Sequence, residues 1–332
     1  MNIIANEFTF PIREGFACHA SSLLVLPGDR VLVVYFAGTA EGKDDVRIYS
    51  SLREGGLCGV WGEPKVISED DGVPHWNPVL HRAADGTIHL YSQVGKNCAC
   101  WKTYIQISTD EGESWSEPRE LIEGDESGGR GPVRNKILST FSGRLIAGGS
   151  TEWEEWKGFF DLSDDDGKTW RRTADLTLPE LHTEAFVQSG EPIKNKGIIQ
   201  PTLWEDETGV HALLRSSQGY IYRTDSTDNG ETWCDPYRTE LPNNNSGIDL
   251  DKTDDGRLVL CYTPVAKNWG PRTPLSLAVS TDNGDSWEHL THLVTAMMPT
   301  GFAYPCVRWQ DGCLHVTYTW DRKTICYMRL GL

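Results

Sequence analysis

Short apolar runs separated by turn residues recur along the whole chain, and they predict strands rather than helices. In six places a turn that contains glycine is followed at once by a mostly apolar run, and each such turn lies between two β-rich segments. The six glycines are Gly28, Gly86, Gly143, Gly209, Gly256 and Gly312. A turn between two such segments is typical of a β-hairpin, and no helical apolar spacing competes with it. The pattern predicts an all-β protein.

The spacing of these hairpins indicates one repeated unit. Successive glycines are 58, 57, 66, 47 and 56 residues apart. A period in this range, with four short strands in each copy, is what a β-propeller blade requires. We therefore predict a single domain over residues 1–332, folded as a six-bladed β-propeller. The sixth repeat offers three strands, and an alternating run over 3–10 predicts an N-terminal strand that closes this last blade.

A second, more regular repeat follows the pattern S-x-D-x-G-x-[ST]-W. It occurs at 108–115, 163–170, 226–233 and 280–287. A degenerate copy over 50–56 is followed by Trp61. The pattern predicts a tight turn in which the aspartate accepts hydrogen bonds from backbone N–H groups and the glycine adopts a positive φ. The tryptophan is expected to anchor the turn on the core.

Composition narrows the possible partners. The formal net charge of −17 argues against binding to nucleic acid or to an anionic membrane surface, because both need a basic surface. An acidic substrate would have to meet a local cluster of arginines. The nine cysteines lie mostly in apolar runs and predict reduced, buried thiols, with no metal site and no cofactor. The N-terminal segment lacks the features of a signal peptide, from which we expect a cytoplasmic protein.

Polar residues recur at one register position of the predicted innermost strands, which line the central channel of a propeller. Nine residues before the hairpin glycine, the first four repeats place His19, Asn77, Arg134 and Gln200. In the fifth repeat the same count falls within the segment 243–249, which contains Asn245 and Asp249, and in the sixth it falls beside Tyr304. We expect these side chains to form a ring at one mouth of the channel, although solvated strand starts would give the same pattern.

Further charged residues are expected near this mouth. Arg215 and Arg272 would join Arg134 in a site for a carboxylate, whereas a surface salt bridge is the alternative for each arginine alone. The candidate acids and bases are Glu41, Asp44, Glu152 and His75. Glu41 and Asp44 follow the second strand of the repeat that carries His19, which directs them to the same mouth. A solvated carboxylate or a packed histidine is the alternative for these four.

The S-x-D-x-G-x-[ST]-W repeats resemble the Asp boxes of the sialidase (neuraminidase) superfamily, and the resemblance covers the whole chain. It implies a six-bladed propeller with its Asp boxes away from the active face. It also implies three arginines that bind the substrate carboxylate, a tyrosine nucleophile paired with a glutamate, and a loop aspartate as acid and base. Arg215 and Arg272 resemble the second and third arginines, and Tyr304 resembles the nucleophile. Glu41 or Asp44 lies where the acid/base loop is expected.

Two residues depart from the pattern of this superfamily. His19 stands where the first arginine is expected, and Gln200 stands where the glutamate that activates the tyrosine is expected. A neutral amide cannot take a proton from tyrosine, and Glu152 is the candidate replacement. The segments 131–136, 241–249 and 316–320 resemble a divergent branch of predicted sialidase-like proteins.

Three functions are compatible with these residues. The first is an exo-acting glycoside hydrolase that removes a terminal acidic sugar from an oligosaccharide, which predicts a free acidic monosaccharide. The second is a lyase acting on a uronic-acid glycan by β-elimination, with a histidine or Tyr304 as base or acid, which predicts an unsaturated product that absorbs in the near ultraviolet. The third is a propeller that binds glycans without turnover. We expect the hydrolase.

Overall fold

The computed structural model describes residues 1–56, 59–69, 71–153, 155–178 and 196–332. These residues contain 24 strands, one short 3₁₀ turn at Cys98–Cys100 and no α-helix. The prediction of an all-β protein is confirmed. No helix in this part of the chain is long and apolar enough to cross a membrane.

The first half of the chain supplies thirteen strands. They are β1 (Asn2–Phe8), β2 (Ala17–Leu26), β3 (Arg30–Gly38), β4 (Arg47–Arg53), β5 (Lys65–Val66), β6 (His75–Arg82), β7 (Ile88–Val94), β8 (Lys102–Ser108), β9 (Arg119–Glu120), β10 (Leu138–Ser139), β11 (Leu145–Thr151), β12 (Glu155–Ser163) and β13 (Arg171–Arg172). Strands β2 to β5 form one four-stranded sheet, and β6 to β9 form the next.

The second half supplies eleven more. They are β14 (Lys196–Asp206), β15 (Gly209–Ser216), β16 (Tyr220–Ser226), β17 (Tyr237–Pro242), β18 (Asp249–Lys252), β19 (Leu258–Tyr262), β20 (Leu275–Ser280), β21 (Glu288–Val294), β22 (Phe302–Gln310), β23 (Cys313–Trp320) and β24 (Thr324–Gly331). Strands β18 to β21 form a four-stranded sheet. Strands β10 to β17 form one eight-stranded sheet, in which a short parallel pairing of β12 with β14 joins two antiparallel groups.

The N-terminal strand belongs to the last sheet, whose order is β1-β24-β23-β22. β1 lies at its edge and pairs with β24 from Asn2 opposite Gly331 to Phe8 opposite Cys326, as the alternating run over 3–10 predicts. Glu7 fastens this strand to the first sheet, because it accepts two hydrogen bonds from Arg53, of 2.9 and 3.0 Å. Glu7 accepts a third hydrogen bond, of 2.8 Å, from the indole N–H of Trp61, the tryptophan that follows the degenerate repeat.

The four Asp-box turns have the predicted hydrogen bonds. In the third, Asp228 Oδ1 accepts from the backbone N–H of Thr232 at 2.9 Å and Oδ2 from its hydroxyl at 2.5 Å, while Ser226 Oγ accepts from Gly230 N at 2.9 Å. Gly230 has a φ of 85°. Burial raises the pKa of Asp228, but the hydrogen bonds from Thr232 and Ser226 together outweigh this effect and lower the pKa to about 2. The other three turns repeat this geometry.

The interior between the sheets is apolar, and the cysteines divide between this interior and the surface. Cys18, Cys261, Cys306, Cys313 and Cys326 are buried free thiols, as predicted. Cys98 is half-buried, and Cys100 and Cys234 are exposed, so the prediction of burial is wrong for these three. Cys98 and Cys100 lie on the 3₁₀ turn, and Cys234 follows an Asp-box tryptophan. Cys58 lies outside the described residues.

Candidate functional site

A β-bulge occurs at the same position of four strands, which are β2, β6, β14 and β22. One residue at each bulge has a positive φ, at Ala20, Asn77, Gln200 and Tyr304. Bulges redirect side chains and often adjoin active sites, and residues held in this backbone region cluster at functional sites. Asn77 and Gln200 from the register count, together with Tyr304, therefore lie at equivalent irregular positions, and His19 lies one residue before the equivalent position in β2.

Tyr304 lies at the centre of this site and is held from three sides. Its hydroxyl accepts a hydrogen bond of 2.8 Å from Arg215 Nη1. Its backbone carbonyl accepts one of 2.7 Å from Arg134 Nη2, whose guanidinium lies 4.9 Å from the centre of the tyrosine ring. The ring of His19 packs edge-on against the same ring, with centroids 4.2 Å apart. These contacts fix the ring and leave it half-buried.

Arg215 connects Tyr304 to the polar residues of neighbouring strands. Its Nη1 also donates to Gln200 Oε1 at 3.1 Å, and its Nε donates to Asn245 Oδ1 at 3.0 Å. Gln200 Nε2 in turn donates to Glu152 Oε1 at 2.8 Å. Burial raises the pKa of Glu152, against the opposing effect of Arg215. A continuous set of hydrogen bonds thus joins the tyrosine hydroxyl to a carboxyl group with a raised pKa.

Two further arginines border a cavity of about 430 Å³ at this mouth. Arg272 and Arg322 line it together with Glu41, whose Oε2 accepts a hydrogen bond of 2.6 Å from Arg322 Nη1. Burial lowers the pKa of Arg272 to about 10, and neighbouring arginines contribute to this shift. Among the described residues, Arg272 has no ion-pair partner. We call this cluster the arginine mouth, defined by Arg215, Arg272 and Arg322.

His19 is a neutral base inside this cluster of cations. It is 1 % exposed, and its Nδ1 lies 2.8 Å from the hydroxyl of Thr319. Burial holds its pKa well below the usual value, and four nearby guanidinium groups lower it further. In decreasing order of effect they belong to Arg322, Arg272, Arg134 and Arg215. Four arginines therefore surround the position where the superfamily pattern has its first arginine.

The structure places two of the expected substrate-binding residues beneath the site. Arg134 donates hydrogen bonds to the backbone carbonyls of Tyr304 and Pro305 and is 2 % exposed. It therefore holds the backbone of the tyrosine from the buried side. Asp249 is 1 % exposed and accepts two hydrogen bonds from Lys136, of 2.9 and 3.0 Å. The hydroxyl of Thr202 and the backbone N–H of Val307 also donate to Asp249. With four hydrogen bonds from three donor groups on its two oxygens, this carboxylate is engaged in the interior.

Other expected residues lie outside the arginine mouth. Asp44 is exposed and pairs with Lys96 at 3.0 Å, so of the two loop acids only Glu41 reaches the arginines. His75 is buried beside Asp71, at 3.4 Å, and burial lowers its pKa. Asn77 is buried at the bulge of β6.

Sequence reasoning missed Arg322 and Trp156. Arg322 lies in the turn between β23 and β24, away from the register position used to find the others. Trp156 lies under the guanidinium of Arg215, 5.2 Å from the ring centre, where a cation–π contact stabilises the buried charge. The sequence did contain one signal for Arg322. It is a basic residue in a turn between two strands, on the same side as Arg272.

The repeats of this chain have counterparts in known proteins. A family model described as a BNR repeat-like domain matches residues 29–316. The chain belongs to this family. The resemblance to the sialidase superfamily is thereby confirmed, and two sialidases are relatives of this BNR-repeat protein. The sialidase of Paraclostridium sordellii is 27% identical over 261 residues, which are 67% of this chain and 60% of the relative. That of Clostridium perfringens is 27% identical over 276 residues, 68% of this chain and 65% of the relative.

Solved structures share the fold of this BNR-repeat protein. A Dyadobacter fermentans protein of unknown function has a TM-score of 0.77 at 17% identity, covering 100% of this chain and 99% of its own. The NanB sialidase of Streptococcus pneumoniae has a TM-score of 0.70 at 15% identity, covering 95% of this chain and 68% of its own. At these identities the likeness concerns the fold alone.

Proposed function

We propose that this protein is an exo-acting glycoside hydrolase of the sialidase type that removes a terminal acidic sugar from an oligosaccharide. The observation that carries the proposal is the arginine mouth. Three guanidinium groups meet there in a protein with a net charge of −17, and among the described residues only Glu41 forms an ion pair with any of them. Gathering unpaired cations costs free energy unless an anion binds, and planar guanidinium groups match a carboxylate.

The proposal includes a six-bladed ring. The four-stranded groups β2–β5, β6–β9, β10–β13, β14–β17, β18–β21 and β22–β24 with β1 would each be one blade. The contacts of β2 with both β6 and β22, of β14 with β18 and of β18 with β22 support this arrangement, because they join neighbouring innermost strands. The ring would bring His19, Gln200 and Tyr304 from separate blades to one mouth.

In this mechanism the substrate carboxylate binds Arg272 and Arg322 and displaces Glu41 from its ion pair. Glu41, once protonated, donates its proton to the leaving-group oxygen, while the oxygen of Tyr304 bonds to the anomeric carbon. Water then attacks the same carbon, Glu41 takes its proton, and the tyrosine oxygen leaves. The free acidic sugar and the shortened oligosaccharide are the products.

The tyrosine must lose its proton before it attacks. Arg215 stabilises the resulting phenolate through its 2.8 Å hydrogen bond. We assign the acceptor of the proton to Glu152, reached through a bridging water, because Arg215 and Gln200 only donate hydrogen bonds between the tyrosine and this carboxylate and cannot carry the proton. Its raised pKa makes it a stronger base than an ordinary glutamate.

The test uses 3′- and 6′-sialyllactose and an oligosaccharide that ends in glucuronate. Free acidic monosaccharide and near-ultraviolet absorbance are measured in the same reactions. We expect free acidic sugar without new absorbance. An absorbing, unsaturated product would instead establish a lyase, and saturable binding without either product would establish a glycan-binding propeller.

Three variants assign the roles. Arg272→Gln should raise KM by about 10- to 100-fold, because a charged hydrogen bond to the carboxylate is lost. Glu41→Gln should lower kcat by about 10²-fold or more, with a smaller loss on a substrate whose leaving group needs no proton. Tyr304→Phe should abolish turnover and retain binding. Arg13→Gln, which removes an exposed arginine paired with Glu63, is the matched control and should change none of these values.

A further inference from the structure

A second cavity, of about 310 Å³, lies at the other end of the innermost strands. Its polar lining comes from β6, β18 and β22 and from the residues around β10. The polar residues are His81, Arg82, Ser139, Asp251, Arg308 and Gln310. His81, Arg82, Arg308 and Gln310 follow the bulge positions along β6 and β22, and the two cavities share no lining residue, so this cavity and the arginine mouth are separate. We call it the second mouth, defined by His81, Asp251 and Arg308.

A buried ion pair of Lys136 and Asp249 borders the second mouth. Lys136 lines the second cavity, but its ammonium group points to Asp249, at 2.9 and 3.0 Å. Both side chains are almost fully buried, at 7 % and 1 % exposure. The charge of Lys136 is therefore already neutralised and is not available to a ligand in the second mouth.

The second mouth contains hydrogen-bonding groups that lack partners. Arg308 Nε is buried without a partner, and no carboxylate among the described residues pairs with this guanidinium, whose Nη2 donates to the carbonyl of Leu80 at 3.3 Å. His81 is 5 % exposed, and its Nε2 is also buried without a partner. Burial lowers the pKa of His81 to about 3, so the imidazole is neutral. Arg82, in contrast, is engaged by Glu111.

Asp251 supplies the opposite character. Its Oδ2 accepts from the backbone N–H of Trp309 at 2.7 Å, and its Oδ1 accepts from that of Lys252 at 3.0 Å. Each carboxylate oxygen has two lone pairs, so both can accept another hydrogen bond. The second mouth therefore offers a strong donor, Arg308, and a strong acceptor, Asp251, on one half-enclosed surface.

We propose that the second mouth binds one neutral sugar ring. A hydroxyl group both accepts and donates, so neighbouring hydroxyls of a sugar can satisfy Arg308 and Asp251 together. An oxyanion could satisfy Arg308, but it would be repelled by Asp251 and could not donate to it. Leu24, Ile137 and Leu203 supply apolar wall for the ring carbons. A volume near 310 Å³ lies at the lower end of small-molecule sites, which suits one ring rather than a chain.

The experiment measures binding directly, so its result does not depend on whether the protein is a hydrolase. Methyl β-D-galactopyranoside, methyl β-D-glucopyranoside and methyl α-D-mannopyranoside are each added to the full chain. Saturation-transfer NMR detects contact, and titration calorimetry gives the Kd. We expect transfer to at least one of the three glycosides.

Variants then locate the site. Arg308→Met and the nearly isosteric Asp251→Asn should each weaken binding by about tenfold or more, since each removes a charged hydrogen-bonding partner. Arg272→Gln alters the arginine mouth and should leave the Kd of the neutral glycosides unchanged. Circular dichroism and Tm establish that each variant is folded, and Asp251→Asn carries the test if Arg308→Met does not fold. No transfer to any of the three glycosides, or a Kd that Asp251→Asn leaves unchanged, would overturn the proposal.

Discussion

The position of Tyr304 depends on a residue that has no side chain. A Cβ atom placed on Gly247 would lie 2.7 Å from Cδ1 of the tyrosine ring, closer than such contacts occur. Arg134 and His19 hold the opposite sides of the residue, so the ring has little room to retreat. The register count pointed to Gly247 in the fifth repeat, and the absence of a side chain there is what admits the tyrosine.

Gly247→Ala should therefore damage turnover more than stability. The added methyl group displaces the tyrosine ring from Arg215, and we expect kcat to fall by about tenfold or more, since small misplacements of reacting groups have large effects on rate. Steady-state kinetics on an acidic oligosaccharide that the parent protein cleaves provide the measurement. Gly62→Ala is the control, because its Cβ would meet only a carbonyl oxygen at 3.5 Å. Equal losses in the two variants would contradict the role of Gly247.

A buried histidine makes stability depend on pH. His315 on β23 is fully buried, with Nδ1 2.8 Å from the hydroxyl of Tyr327, and burial lowers its pKa to about 4. The unfolded chain binds a proton on this histidine near pH 6.5, whereas the native protein does so only near pH 4. Unfolding therefore takes up a proton between these values, and the contribution to stability is complete above pH 6.5 and declines as the pH falls.

Lowering the pH from 7.5 to 5.0 should cost about 2 kcal/mol of unfolding free energy through His315 alone. Urea unfolding at the two pH values measures the loss, and His315→Gln should remove that part of it. His289→Gln, at an exposed position, should retain the full pH dependence. If the His315 variant keeps the same slope as the parent protein, another group is responsible.

At the scale of elements, the Asp-box turns fix the ends of strands. Asp228, for example, accepts hydrogen bonds from the backbone N–H and the hydroxyl of Thr232, four residues further along the chain. Two consecutive residues within the turn, Asn229 and Gly230, take positive φ values of 58° and 85°. These demands are local, and each is met by residues within one eight-residue segment. This is why the hydrogen bonds of the turn could be predicted from the sequence alone.

Asp228→Ala should loosen its turn and lower the Tm by about 1–3 °C, the effect of losing one capping-type contact in a chain of 332 residues. Asp228→Asn keeps one acceptor oxygen and should lose less. Differential scanning calorimetry at neutral pH measures both. An alanine variant as stable as the parent protein would show that the tryptophan alone anchors the turn.

The same contrast explains which parts of the site were predictable. The strands, the six hairpins and the inner register of His19, Gln200 and Tyr304 follow from local periodicity. The roles of Arg134 and Asp249 do not, because they depend on partners more than 100 residues away, Tyr304 and Lys136 respectively. Arg322 was missed for a related reason, since its turn approaches Glu41 only in the folded chain.

At the scale of the whole molecule, a buried cluster of arginines opposes an acidic surface. The net charge of −17 repels an acidic substrate at long range, whereas the arginines attract it only within the mouth. Salt screens exposed charges over about 8–10 Å near physiological ionic strength, and screens buried groups much less. The repulsion should therefore weaken more than the attraction when salt is added.

Raising the ionic strength from about 10 to 150 mM should increase kcat/KM for the acidic substrate by a few-fold. Initial rates at low substrate concentration measure this ratio across a sodium chloride series. A decrease would mean that the arginines dominate at long range as well, in spite of the overall charge.

The arginines of the arginine mouth are placed to bind a carboxylate, and in the proposed reaction that group takes no part in bond breaking. The released acidic sugar would therefore keep the group that the arginines bind. It should compete with the substrate for the same arginines, so that turnover slows as the product accumulates.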